Sequence, residues 1–238
     1  MTKHFLAIII KIANFALKGD VLMYNPVIFD LDGTLLNTLG DLAAAGNYAL
    51  SQLGFPVHDK DEYRYFVGNG IPKLIERMLP ENASKSDFDT AYKLFDEYYE
   101  QHKTDTTAPY DGISELLETL SERGITCLCN TNKSHSFSCE LLGGFFGNLL
   151  TEIVGGEHGF PKKPAPGAAN YLVGKYKKAG FSPIYIGDSS VDMQTAKNAG
   201  IAVCGVLWGF RDRAELESYS PDYLAENAAE LKKIILGV

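Results

Sequence analysis

Cysteine is scarce in this chain, four in 238 residues, too few for a disulfide scaffold at this length. Cys127 and Cys129 fall on one face of an expected central strand and read as small core residues rather than a metal or redox pair. There is no block of basic residues, and the net charge is −8, which argues against a nucleic-acid partner. No internal repeat and no low-complexity linker occurs. No apolar run is fit to span a bilayer, because Phe5 to Leu17 is short and interrupted by Lys11. Asn14 spoils the one small-x-small cleavage site, which would end at Ala16, so a signal peptide finds little support. What remains is a cytoplasmic globular protein, 45% hydrophobic and 22% charged. Its size suits one α/β core with one insertion, or two modest domains.

The periodicity of the chain changes twice. Pro26 to Phe29 is a short apolar run that reads as a buried strand. From residue 39 to about 105 strand-like runs vanish, and helical spacing covers Leu39 to Leu53, Lys60 to Phe66, Ile71 to Leu79 and Lys85 to Lys103. Gly54-Phe55-Pro56 and Leu79-Pro80-Glu81-Asn82 break these segments. From Asp111 onward strands and helices alternate. Strands are expected at 125–129, 152–154, 184–187, 202–206 and 222–225. Helices are expected at 113–123, 134–142, 167–178, 190–199 and 228–236. Such alternation predicts a doubly wound parallel sheet, Rossmann-like, with residues 23–38 and 106–238 forming the core and 39–105 inserted as an all-helical unit.

Residues 1–22 stand apart. On a helical wheel His4, Lys11, Asn14 and Lys18 share one face and leave a wide apolar face opposite. That face would suit a membrane surface, the protein's own body or a dimer contact. The favoured expectation is plainer: an upstream start before Met23 that adds a tail with no part in catalysis.

The chemistry concentrates in Phe29-Asp30-Leu31-Asp32-Gly33-Thr34-Leu35. Alternation along a strand aims Asp30 and Asp32 the same way, off the carboxyl end. Two carboxylates this close repel unless a cation or a shared proton separates them. A phosphoryl-transfer site has a use for that arrangement: one carboxylate attacks phosphorus, the other carries a proton, and Mg²⁺ holds the charge. Other expected strands end in Asn130-Thr131-Asn132-Lys133 and Gly187-Asp188-Ser189-Ser190-Val191-Asp192. Lys162-Lys163-Pro164-Ala165-Pro166 occupies a loop before a helix. Parallel strands share one carboxyl edge, where open α/β folds bind ligands, so these groups can converge.

The four motifs, in this order, resemble those of the haloacid dehalogenase-like hydrolase superfamily over nearly all of residues 24–238. Asp30-x-Asp32-x-Thr34 matches its first motif, Thr131 the second, Lys163 the third, and Asp188 with Asp192 the fourth. The resemblance implies an Mg²⁺-dependent phosphatase that works through an aspartyl-phosphate. Asp30 would be the nucleophile. Asp32 would be the general acid and base, its negative neighbours helping it hold a proton. Mg²⁺ would be bound by Asp30, Asp188 and the backbone carbonyl of Asp32, with Asp192 supporting the metal and orienting Lys163. Thr131 and the Asn132 backbone N–H would hold the phosphoryl oxygens, and Lys163 would neutralise them. Gly33 permits the turn after the acids, and Thr34 is expected to tie that turn down. Carbon–halogen cleavage needs neither an acid at the position of Asp32 nor a metal, so the intact acids favour phosphate.

Within the superfamily the chain is most similar to the phosphoglycolate phosphatase-like branch. Gly68-Asn69-Gly70 with Leu74-Ile75-Glu76-Arg77 carries that likeness, as do Val154-Gly155-Gly156, Asp192 to Gly200 and Gly205-Val206-Leu207-Trp208-Gly209. Asn37 departs from it, since many relatives have an acid there. The helical insertion would be a mobile cap that excludes water. Arg64, Asn69, Lys73 and Arg77 are its polar candidates for a small carboxylated substrate, and Trp208 and Phe210 could line the mouth or simply pack. The partner is a small phosphorylated metabolite, and the protein a monomer or homodimer. A hexose-phosphate mutase of the same fold, a pyrophosphatase and a non-catalytic regulatory module stay open, as does a phosphatase held on a membrane surface by residues 1–22.

Overall fold

The computed structural model describes residues 23–238, and the expectations for residues 1–22 lie outside them. Its centre is a six-stranded parallel sheet in the order β5-β4-β1-β6-β7-β8. The strands are β1 (Tyr24–Phe29), β4 (Cys127–Ser134), β5 (Glu152–Gly156), β6 (Ser182–Gly187), β7 (Ala202–Val206) and β8 (Tyr223–Ala225). Strand β1 is buried along its whole length, as a central strand covered on both faces must be. Successive strands extend the sheet to one side of β1 up to β5 and to the other side from β6, so the order reverses at β1. That reversal is where a crevice opens above the carboxyl ends.

Helices cover both faces. On one face α5 (Ile113–Glu122) and α10 (Ala228–Leu236) pack with α6 (His135–Phe146) over Val27, Phe29, Cys127, Cys129 and Ile184. On the other, α7 (Gly167–Tyr176) and α8 (Ser190–Ala199) cover Ile28, Leu128 and Tyr185. A short helix absent from the sequence reading, α9 (Arg213–Ser218), is capped by the Asp212 side chain. Cys127 and Cys129 are buried and unpaired, and burial pushes the Cys127 thiol up to about 12. They are core residues.

The insertion folds as α1 (Leu39–Gln52), a 3₁₀ turn (Lys60–Glu62), α2 (Tyr63–Phe66), α3 (Ile71–Met78) and α4 (Lys85–His102). It has its own apolar core around Leu42, Tyr63, Leu74, Phe95 and Tyr99, joined by Phe137 and Phe210 from the sheet domain. Two connections tie it to the sheet. Between them lies an antiparallel pair too short to show periodicity, β2 (Leu36–Asn37) with β3 (Ala108–Pro109). Beside this pair, the buried Asp41 carboxylate accepts four hydrogen bonds across the chain. Thr106 gives its N–H (2.9 Å) and Oγ1 (2.5 Å), and Thr107 its N–H (2.9 Å) and Oγ1 (2.7 Å). One carboxylate thus pins the outgoing connection to the returning one.

The expected element boundaries hold with local shifts. The largest is at β4, which runs on through Thr131 and Lys133 to Ser134 instead of stopping at Cys129. Helix α6 reaches Phe146 rather than Leu142. Among the described residues no helix is long and apolar enough to cross a membrane.

Candidate active site

Asp30, Thr131, Lys163, Asp188 and Asp192 meet at the carboxyl edge of β1, β4 and β6, and all are buried. Lys163 Nζ lies 2.9 Å from Asp30 Oδ1 and 2.7 Å from Asp192 Oδ1. Asp192 is further held by Ser189, whose N–H (3.1 Å) and Oγ (2.6 Å) both donate to Oδ2. Asp188 Oδ2 accepts from the Phe210 N–H at 2.6 Å. Gly33 takes a positive φ of 81°, and a Cβ there would overlap the Asp188 carboxylate. Glycine at that position therefore serves both the turn and the close approach of the acid.

The electrostatics follow from this crowding. Burial pushes Asp30 up to about 7, with the nearby Asp192 adding to the rise and Lys163 opposing it. Burial likewise raises Asp188, helped by Asp192 and Asp30. For Lys163 burial works against the charge, yet Asp192 and Asp30 outweigh it and hold the ammonium well above its usual range. Asp30, Asp188 and Asp192 each offer a carboxylate oxygen within 4.8 Å of the others. Lys163 pairs with Asp30 and Asp192 but not with Asp188, so the three buried carboxylates carry excess negative charge, and their donors are all hard oxygens. A divalent cation fits that deficit.

Asp32 is in a different setting. It lies past the end of β1, and its Oδ1 accepts from Thr38 Oγ1 at 2.7 Å and from Lys133 Nζ at 3.1 Å. Its direct partners are a hydroxyl and an ammonium, with the Asp30 carboxylate also near enough to interact. Lys133 is buried, and its Nζ sits 4.7 Å from the centre of the Tyr99 ring on α4. Burial opposes its charge, but Asp32 outweighs that and raises its pKa. The sequence reading passed over Lys133. The signal was its place two residues beyond Thr131 on a strand that continues.

The Asn132 side chain also does more than was expected. Its Oδ1 accepts from the Lys163 N–H (2.8 Å), while Nδ2 donates to the carbonyls of Lys163 (3.2 Å) and Gly68 (3.0 Å). It thus fixes the lysine loop and touches the glycine turn of the insertion. Thr131 Oγ1 accepts from the Lys133 N–H at 3.3 Å, which leaves its proton to donate. Thr34 does not tie the turn down through its hydroxyl: buried Oγ1 has no partner among the described residues. Backbone bonds hold the turn instead, with Thr34, Leu35 and Leu36 N–H groups all reaching the Leu31 carbonyl.

The remaining candidates are spent elsewhere. A cavity of about 20 Å³ is lined by Asp30, Asp32, Thr131, Asn132 and Lys133 below and by Val67, Gly68, Gly70, Ile71 and Leu74 above. Asn69, Lys73 and Arg77 do not line it. Arg77 donates to the carbonyls of Tyr65 (3.2 Å) and Phe66 (2.9 Å) and to Asn69 Oδ1 (2.8 Å). It shapes the glycine turn from behind. Lys73 pairs with Glu76 on the surface. Arg211, absent from the sequence reading, reaches from the loop after β7 to the carbonyls of Arg64 and Val67. Trp208 donates from Nε1 to the Thr34 carbonyl at 3.1 Å, and Phe210 is buried in the core of the insertion.

Comparison with known proteins places these features in context. Residues 27–206 match the family described as haloacid dehalogenase-like hydrolase. The phosphoglycolate phosphatase of Vibrio parahaemolyticus is 33% identical over 216 residues, spanning 88% of this chain and 95% of that protein. The enzyme of the same name from Haemophilus influenzae strain 86-028NP is 32% identical over 218 residues, 87% of this chain and 96% of that one. Among solved structures, one from Lactobacillus delbrueckii subsp. bulgaricus superposes with a TM-score of 0.84 at 28% identity, covering 91% of this chain and all of that one. A haloacid dehalogenase-like hydrolase from Streptococcus pneumoniae gives 0.76 at 26% identity, over 87% and 96% of the two chains.

Proposed function

The chain belongs to the haloacid dehalogenase-like hydrolases, and from that premise we propose that it is an Mg²⁺-dependent phosphatase of small phosphomonoesters, phosphoglycolate foremost, working through an aspartyl-phosphate on Asp30. The observation that carries the reading is a pair of carboxylates, two residues apart and both lining one small cavity, each paired with a different buried lysine. The curated relatives named phosphoglycolate phosphatase, matched over nearly their full length, support the substrate class.

In this mechanism Asp30 attacks phosphorus and displaces the alcohol, splitting one difficult displacement into two easier ones. Asp32 gives its proton to the leaving oxygen, then takes one from the water that hydrolyses the intermediate. The Thr131 hydroxyl and the Asn132 N–H bind phosphoryl oxygens, and Lys163 offsets their charge without leaving Asp30 or Asp192. Asp30, Asp188 and the Asp32 carbonyl would hold Mg²⁺, with Asp192 behind them. When bound, the ion screens the nucleophile from the phosphate and neutralises charge in the transition state. Residues 39–105 act as a cap. The space of about 20 Å³ between insertion and sheet has room for roughly a single water, so the cap lifts to admit substrate and closes to exclude solvent. A short leaving group fits under it better than a sugar.

The test is phosphate release from phosphoglycolate, hexose phosphates, nucleotides and pyrophosphate, with Mg²⁺ and with chelator. Mg²⁺-dependent release that favours phosphoglycolate supports the reading. Retention of the phosphoryl group with a requirement for a bisphosphate activator would replace it with a mutase.

A further inference from the structure

Asp32 has two carboxylate oxygens, and the structure treats them unequally. Thr38 Oγ1 and Lys133 Nζ both bond Oδ1, while Oδ2 accepts no hydrogen bond from any described residue. Lys133 is itself immobilised. It is buried on β4, its ammonium stands against the face of Tyr99, and its N–H is tied to Thr131 Oγ1. Tyr99 belongs to the cap helix α4 and stacks edge-on against Phe137 of the core, ring centres 5.4 Å apart. The Lys133 ammonium lies 4.7 Å from the centre of the Tyr99 ring.

We infer that Lys133 is a positioning residue for Asp32: it clamps Oδ1 against the Tyr99 face of the cap and leaves Oδ2 as the oxygen that carries the proton. This rests on the aspartyl-phosphate reading above. In the first step the bond from phosphorus to the alkoxide oxygen breaks as the Asp30–phosphorus bond forms. The proton on Asp32 Oδ2 passes to the departing oxygen. In the second step the attacking water gives its proton back to Oδ2. Lys133 exchanges no proton and touches no reacting atom. Because half of its seat is a cap side chain, the proton carrier is held in place only while α4 lies against the core.

The discriminating measurement compares two small esters that differ in their need for a proton. Ethyl phosphate expels a strongly basic alkoxide, whereas acetyl phosphate expels a carboxylate that leaves without help. For either ester kcat/KM reports steps up to the first phosphoryl transfer. In Lys133→Met, which keeps the length and apolar bulk of the side chain, kcat/KM for ethyl phosphate should fall by about a hundredfold, while that for acetyl phosphate should stay within about fivefold of wild type. In Lys133→Ala, added methylammonium should restore part of the ethyl phosphate activity. Tyr99→Leu should show the same split at smaller size, about tenfold, and decides the matter alone if Lys133→Met does not fold. Equal losses on both esters would overturn the inference and make Lys133 a structural residue. A loss on phosphoglycolate that spares ethyl phosphate would also overturn it, since Lys133 would then be holding the substrate's carboxylate. Wild type that turns over neither of these esters nor phosphoglycolate would instead remove the phosphatase reading, whatever Lys133 does.

Discussion

Asp30 and Asp32 are separated by one residue, yet they belong to different parts of the molecule. Among the described residues the partners of Asp30 come from the sheet domain: Lys163 by ion pair, Asp192 and Asp188 by proximity. Asp32 sits at the boundary, bonded to Thr38 at the start of the connection into the cap and to a lysine that rests on a cap tyrosine. On the proposed mechanism the nucleophile would stay in place whether the cap is open or closed, and the proton carrier would be assembled from pieces that meet at the boundary. The charged centre would then persist between turnovers while the proton step depends on closure.

The comparison breaks most visibly at Asp30. Asp30→Asn should lower kcat by about 10⁴-fold or more, read as Mg²⁺-dependent phosphate release, with no compensating change in KM able to restore turnover. At the boundary the largest stability effect is expected from Asp41. Asp41→Ala leaves four donors of Thr106 and Thr107 unmatched next to the two connections, two of them on the buried Thr107. It should cost about 3 kcal/mol in denaturant unfolding. A loss below about 0.5 kcal/mol would show that the two connections do not depend on this clamp.

The buried charge at the core gives a subtler handle. Asp30 is raised from its ordinary 3.8 to about 7 by burial and Asp192. Between those values the folded chain binds more protons at this site than the unfolded one, so its contribution to stability is lost as pH rises through that window. Metal-free Asp30→Asn should therefore melt a few degrees above metal-free wild type near pH 8. The gain should shrink toward about pH 4, and Mg²⁺ should narrow it at the higher pH. The smallest effects belong to the cap surface. Arg77→Ala frees the glycine turn and should raise KM about tenfold. Lys73→Ala removes only an exposed pair with Glu76 and should change nothing measurable.

The sheet-edge groups were legible in the sequence because each follows a short apolar run, and parallel strands bring their carboxyl ends together whatever the intervening lengths. The helical insertion was legible for the same reason, since a change of period from two to 3.6 survives any tertiary context. The boundary was not. Strands β2 and β3 are two residues each, below the length at which alternation means anything. Lys133 looks in sequence like one more polar residue after a strand, and only the extension of β4 to Ser134 turns it into a buried partner of Asp32. Arg77 and Arg211 are cations that the chain spends on its own carbonyls, a use no spacing rule separates from substrate binding. Thr34 was expected to anchor its turn, but the Leu31 carbonyl already takes the turn's N–H groups. Motif chemistry is local and readable; its coupling to a second unit depends on contacts across 60 to 100 residues of chain.

The central claim is that Asp30 carries the phosphoryl group during turnover. The most direct measurement is to mix enzyme, Mg²⁺ and phosphoglycolate, quench in acid within the first turnover, and weigh the peptide containing Asp30. The account predicts a transient gain of one phosphoryl group on that peptide, present in wild type, absent in Asp30→Asn, and decaying at the rate of phosphate release. Full phosphate release in wild type with no phosphorylated peptide at any time, or the group found on another residue, would contradict it.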